Sequence, residues 1–181
     1  MSDVNLKTVV SAISVPFTSK YELINTSAVA NVSSVAFTGL SSNYAEHILI
    51  CSNVFATSAT FLLLRTSTNN GGSYSAGAAD YTYNRTRVDD TETVTNSSIE
   101  TSSISIGQVV GSTNYGHYLK VSMMNIGVTD QFCASWDNGY FISTSYRDVG
   151  IGFRKSTTAV NAIQISGTEI SGTFRLYGVK E

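Results

Sequence analysis

Two closely spaced apolar runs constrain this chain more than anything else in it: HILICSNV at residues 47–54 and FLLLRT at residues 61–66. Side chains alternate between the two faces of a strand. In the first run Ile48 and Ile50 fall on one face, with His47, Leu49 and Cys51 on the other. In the second, Leu62 and Leu64 oppose Phe61 and Leu63. Both runs are apolar on two faces, whereas a strand in a two-layered fold needs only one. The second face must be covered by an arm, a loop or another subunit, and Leu49, Phe61 and Leu63 are read as a subunit contact. The second run leads into Asn69-Asn70-Gly71-Gly72, residues that accept the positive φ of a reversal. Residues 61–83 therefore read as a strand that enters a core and turns back.

The remainder agrees with an all-β chain. Serine and threonine number 27 and 21, charged residues make up only 13%, and there is one proline. With 42% hydrophobic residues the chain is too apolar for disorder, and its Thr, Val, Ile and Tyr favour strands. Residues 21–24 and 33–40 are candidate strands. Ile104 and Ile106 alternate with Ser103 and Ser105; Leu119, Val121 and Met123 alternate with polar neighbours. Phe132, Ala134 and Trp136 form another inward row, and residues 162–166 and 173–179 close the set. The acidic stretch 85–101 reads as a long exposed loop or a ragged edge hairpin. Eight or so short strands predict one antiparallel β-sandwich of jelly-roll type over residues 20–181.

Residues 1–19 stand apart as an N-terminal arm. Leu6, Val9, Val10 and Ile13 fall at helical spacing before Pro16 ends the pattern, so a short helix and an extended arm both fit. Neither is stable alone, and the row is read as an anchor for assembly. MSDVNLKTVV has no basic segment followed by an apolar one, which predicts no secretion signal and synthesis in a reducing cytoplasm. Cys51 and Cys133 are then free thiols. A net charge of −2 gives no electrostatic case for nucleic acid, and no run is long enough to span a membrane.

Chemistry-bearing constellations are sparse. The two histidines, His47 and His117, accompany no Gly-x-Ser-x-Gly elbow, so no catalytic residue is assigned and the chain is read as a non-enzyme. His47 and Cys51 lie four apart on one strand face, too far for a chelate, and Asp89, Asp90 and Glu92 read as a solvated acidic turn; no metal or cofactor is expected. Trp136, Tyr140, Tyr146 and Arg147 form the best candidate for recognition, because loop aromatics offer flat faces to sugar rings and arginine adds hydrogen bonds. The competing reading packs them over a sheet end or into a subunit contact.

The terminal stretch GTEISGTFRLYGVK resembles the closing strand of a jelly-roll module found in virion surface proteins of tailed bacteriophages. SSVAFTGLSSNY resembles another segment of that module, and Leu64, Arg65, Thr66, Gly71, Gly72, Tyr74 and Tyr81 resemble its Gly-Gly hairpin. The resemblance runs from about Lys20 onward, with residues 85–113 unmatched. It implies a virion structural protein, assembled in the host cytoplasm and displayed on the particle as a capsid-decorating protein or a fibre head. It also implies a homotrimer in contact with capsid or tail subunits and anchored by the arm. The alternative is a tail-fibre tip that binds a host receptor or surface glycan. Only about twenty residues precede the module, too few for a stalk at roughly 3.3–3.6 Å per residue.

Overall fold

The computed structural model describes residues 20–111, 117–141 and 145–180. The arm, with Leu6, Val9, Val10 and Ile13, lies outside the described residues. Among the described residues ten strands follow one another: β1 (Tyr21–Phe37), β2 (Glu46–Phe55), β3 (Thr60–Ser67), β4 (Tyr81–Asp89), β5 (Val94–Thr101), β6 (Ile104–Val109), β7 (His117–Met124), β8 (Cys133–Phe141), β9 (Ser145–Arg154) and β10 (Ala162–Val179). The fold is all-β, and every strand pairing is antiparallel. In the order β5-β4-β9-β8-β7-β2-β10-β3-β6 the strands make one sheet, nearly closed into a barrel, with β1 added along β10.

Closure depends on two unusually long strands. β1 has 17 residues and β10 has 18, against a usual strand of about five or six. The C-terminal half of β10 pairs with β2, from Thr173↔Ser52 to Val179↔Glu46; its N-terminal half pairs with β3, from Ala162↔Ser67 to Ser166↔Leu63. β1 follows both halves on the other edge. Between them the ribbon turns a corner. Register shifts fall at Val29/Val32 in β1 and at Ser171/Thr173 in β10, and Asn31, Asn53 and Glu169 adopt φ of 54°, 53° and 50°. Bulges of this kind bend a strand and increase its twist. Side chains hold the bend: Asn31 N–H donates to Ser171 Oγ at 2.9 Å, and the Thr57 hydroxyl donates to the Glu169 carboxylate.

Alternation places the core inside. Leu49 and Cys51 from β2, Leu62 and Leu64 from β3, Ile104 and Ile106 from β6, Leu119, Val121 and Met123 from β7, and Phe174 and Leu176 from β10 are all fully buried. The alternation expected for β7, and for Phe132, Ala134 and Trp136, holds; in β6 Ile104 and Ile106 are buried as expected, but Ser105 and, just ahead of the strand, Ser103 are buried too. For β2 the parity is reversed in its consequence. Leu49, read above as a subunit contact, lies in the core, and it is Ile48 and Ile50 that face outward. The register explains it: Leu49 sits between the buried Leu176 and Val121, while Ile48 sits between Tyr177 and Ser122. Phe61 and Leu63 do face away from Leu62 and Leu64 on β3.

The stretch 61–83 turns back as expected, with Asn70 and Gly71 at φ of 56° and 86°. It is not a hairpin, because β3 and β4 do not pair and stand apart in the strand order. Tyr81 fastens the connection. Its hydroxyl accepts the Thr66 N–H at 2.8 Å and donates to the Ser75 carbonyl at 3.3 Å, so a fully buried phenol is satisfied at both ends. The acidic stretch forms the edge hairpin β4–β5, with polar Thr, Asn and Ser along the exposed β5. Cys51 and Cys133 are unpaired.

Candidate functional site

Two features of the barrel stand out: an aromatic outer face and a polar interior end. The outer face belongs to the β1–β10–β2–β7 side. Outward positions bring Tyr21, Tyr177, Ile48, Ile50, Tyr118 and Lys120 around a groove of about 330 Å³. Tyr118 is 49% exposed and Leu23, beside Tyr177 in the register, is 53% exposed. This is the second apolar face that the sequence of β2 required.

The polar end forms where β4, β6 and β8 finish and β3, β7 and β9 begin. Here the inward rows change character. β4 supplies Arg85 and Arg87, β8 supplies Asn138 and Tyr140, β9 supplies Tyr146 and Asp148, and β7 begins with His117. Asp148 is fully buried. Its Oδ1 accepts the Trp136 indole N–H at 3.2 Å, and its Oδ2 stands 3.7 Å from Arg85 Nε and 3.5 Å from Arg87 Nη2. Burial pushes the Asp148 carboxyl up; the indole and the two guanidinium groups pull it back, but by less. Arg85 also donates to Ser105 Oγ at 3.2 Å.

Above this layer the arginines meet aromatic rings. The guanidinium carbons of Arg85 and Arg87 lie 5.0 Å and 5.5 Å from the centre of the Phe61 ring, and Arg87 lies 5.9 Å from both Tyr140 and Tyr146. Such contacts are favourable cation–π geometry. The two tyrosines stack at 4.9 Å, with their planes 13° apart. Gln108 ties the far side: its side-chain oxygen accepts the Tyr140 hydroxyl at 3.2 Å and its backbone carbonyl accepts Asn138 Nδ2 at 3.3 Å. The same carbonyl accepts from His117 Nε2 at 3.1 Å, which places the imidazole proton on that nitrogen. Burial brings His117 down to about 4, so the ring is neutral. Burial likewise pushes the Tyr140 phenol up, to about 12.

Two glycines let this end close. At Gly150 an added Cβ would lie 2.2 Å from the Trp136 ring and 2.5 Å from the Asn84 carbonyl, so only glycine lets the indole lie on β9. Gly107 adopts a φ of 136° at the register shift between β3 and β6, and a Cβ there would strike Asn138.

The four residues read as a recognition patch do not share a face. Trp136 and Tyr140 point inward and are buried, and Tyr146 stacks on Tyr140. Arg147 is on the outside, in a two-point ion pair with Asp137 at 2.8 Å and 3.2 Å. The sequence did not single out Arg85, Arg87, Asn138 or Asp148. Their signal was present as alternating charge in YNRTRVD and a lone Asp in SYRDVG, but it points to an interior only once the inward parity of β4 and β9 is known. In the acidic turn, Asp89 Oδ1 accepts N–H groups of Thr91 and Thr93 and the Thr91 hydroxyl, which hold its carboxyl below the usual range. Among the described residues no group of three or more His, Cys, Asp or Glu side chains is placed to hold a metal. No protein-family model matches the chain, and no curated protein matches it.

Proposed function

We propose that the protein is a structural module of a bacteriophage particle, a jelly-roll-type barrel displayed on the virion and assembled as a homotrimer through its outer aromatic face. The observation that carries the assembly reading is the outward cluster of Tyr21, Leu23 and Tyr118, 59%, 53% and 49% exposed, beside the groove that Tyr177, Ile48 and Ile50 also line. Contiguous apolar patches on soluble domains mark contact surfaces, and symmetric copies are the usual cover. The jelly-roll reading is supported by the pairing of the first strand with the last and by long-range neighbours such as β4 beside β9 and β2 beside β7. The virion assignment rests on the sequence resemblance. Capsid or tail subunits are the partners in this account, with the arm of residues 1–19 as the anchor.

The experiment is localisation. Antibody raised against the purified protein should label intact phage particles of the source culture in electron micrographs, at many sites per particle for a decorating protein and at the tail end for a fibre head. Failure to label particles, with the protein found only in the lysate, overturns the virion assignment.

A further inference from the structure

The outer face of β1, β10, β2 and β7 and the segment ahead of it match one another in size, pattern and charge. At this end of the barrel the four strands lie side by side, β1 on β10, β10 on β2 and β2 on β7. Three strand spacings carry the groove from Tyr21 on β1 to Tyr118 and Lys120 on β7, about 14 Å in all. Its floor is apolar, with Tyr177, Ile48 and Ile50, and Lys120 is the one charged residue among those that line it.

The described residues begin at Lys20, next to Tyr21 at the rim of this groove, and nineteen residues precede them. Within those nineteen, Leu6, Val9, Val10 and Ile13 share one side only in a helix. An extended chain would put Leu6 and Val10 on one side and Val9 and Ile13 on the other. A helix over residues 3–13 is about 15 Å long, the width of the groove. Asp3 is the only carboxylate of the nineteen and a favoured residue type at a helix start. With Ile13 toward Tyr21, the Asp3 end of such a helix comes to Lys120.

The groove alone is a small contact. Stable interfaces take about 20–30 residues from each side, and the six that line it, with Leu23 beside them, fall well short. A segment from the next copy supplies the missing contact, because identical chains that exchange an element each give and receive the same surface.

We propose that residues 3–13 form an amphipathic helix that docks in the groove of a neighbouring copy, its apolar row against Ile48, Ile50, Tyr118 and Tyr177 and Asp3 beside Lys120. Residues 14–19 reach about 20 Å when extended, enough to pass to a copy packed alongside. Pro16 ends the helix and holds Val15 extended. This exchange rests on the assembly reading above and names the segment that completes the contact. Thr8 and Ser11, on the opposite side of the helix, are left for the particle.

The test is photocrosslinking of the full-length protein with p-benzoylphenylalanine in place of Val10, on material whose solution mass has been measured by light scattering. The expected product is covalent, of at least twice the 19.4 kDa chain mass, with the crosslink on peptides that carry Ile48, Tyr118 or Tyr177. Val10→Asp in the full chain should weaken assembly about tenfold or more, the factor that corresponds to one buried apolar side chain, while the barrel still melts cooperatively. Thr8→Asp should assemble as the parent does. A parent that is a single chain in solution removes the assembly reading and this inference with it. A trimeric parent whose crosslinks stay within one chain or fall outside the groove, or whose Val10→Asp variant assembles undiminished, overturns this inference alone.

Discussion

The Trp136 indole N–H donates to Asp148 Oδ1 at 3.2 Å, and that bond fixes the one carboxylate set between Arg85 and Arg87. A buried charge stripped of its partner is expensive, at about 3–5 kcal/mol for an enclosed pair. Here both arginines keep some solvent contact, which places the effect at the low end. Asp148→Ala should lower the stability by about 3 kcal/mol in urea denaturation. A loss under about 1 kcal/mol would show that the arginines simply turn to water.

The histidines set the pH dependence. His117 titrates near 4 in the folded protein and near 6.5 when unfolded, because burial disfavours its charged form, and burial lowers His47 in the same direction. Below 6.5 the unfolded chain binds protons that the folded one refuses, so stability is full above 6.5 and is lost as the pH falls toward 4. For His117 alone the loss approaches about 3 kcal/mol. Asp148, whose carboxyl is raised, acts oppositely and at the acid end, where its folded form keeps a proton longer than the unfolded chain. Melting followed from pH 7.5 to pH 4 should therefore show a falling midpoint, and His117→Gln should flatten it. An unchanged slope in that variant would mean that His117 is charged inside the fold.

Gly150 tests the packing of the polar end. Since its Cβ would fall 2.2 Å from the indole and 2.5 Å from a backbone carbonyl, Gly150→Ala must push β9 or Trp136 aside. Overpacking of this kind costs about 1–3 kcal/mol. The melting midpoint should drop, and the tryptophan emission should shift red as the ring is displaced. Gly139→Ala, with open space around its Cβ, is the matched control and should change neither.

Much of the barrel was legible from alternation, because a half-buried strand writes its inward face into every second residue. Leu119, Val121 and Met123 are the plainest case, and Phe132, Ala134 and Trp136 follow it. Strands apolar on both faces gave the class but not the direction: nothing in HILICSNV says that Leu49 rather than Ile48 faces inward, since the answer lies in the register with β7 and β10. Ser105 was hidden for a different reason. It alternates correctly with Ile104 and Ile106, yet it is buried, because the Arg85 side chain from across the seam reaches its hydroxyl. Long-range polar contacts of that sort leave no local pattern. The same is true of the whole polar end, which gathers residues from β3, β4, β6, β7, β8 and β9.

The outer face carries the central claim, that this protein works by assembling through β1, β10, β2 and β7. Tyr118→Lys places a charge on that face at a half-exposed position and removes no core contact, so it should leave the stability to unfolding within about 0.5 kcal/mol of the parent. The direct measurement is the solution mass of both proteins by light scattering at micromolar concentration. The account predicts three times the 19.4 kDa chain mass for the parent and a shift toward the single chain for Tyr118→Lys. A parent that runs as a single chain, or a variant that keeps the parent's assembly, would contradict it.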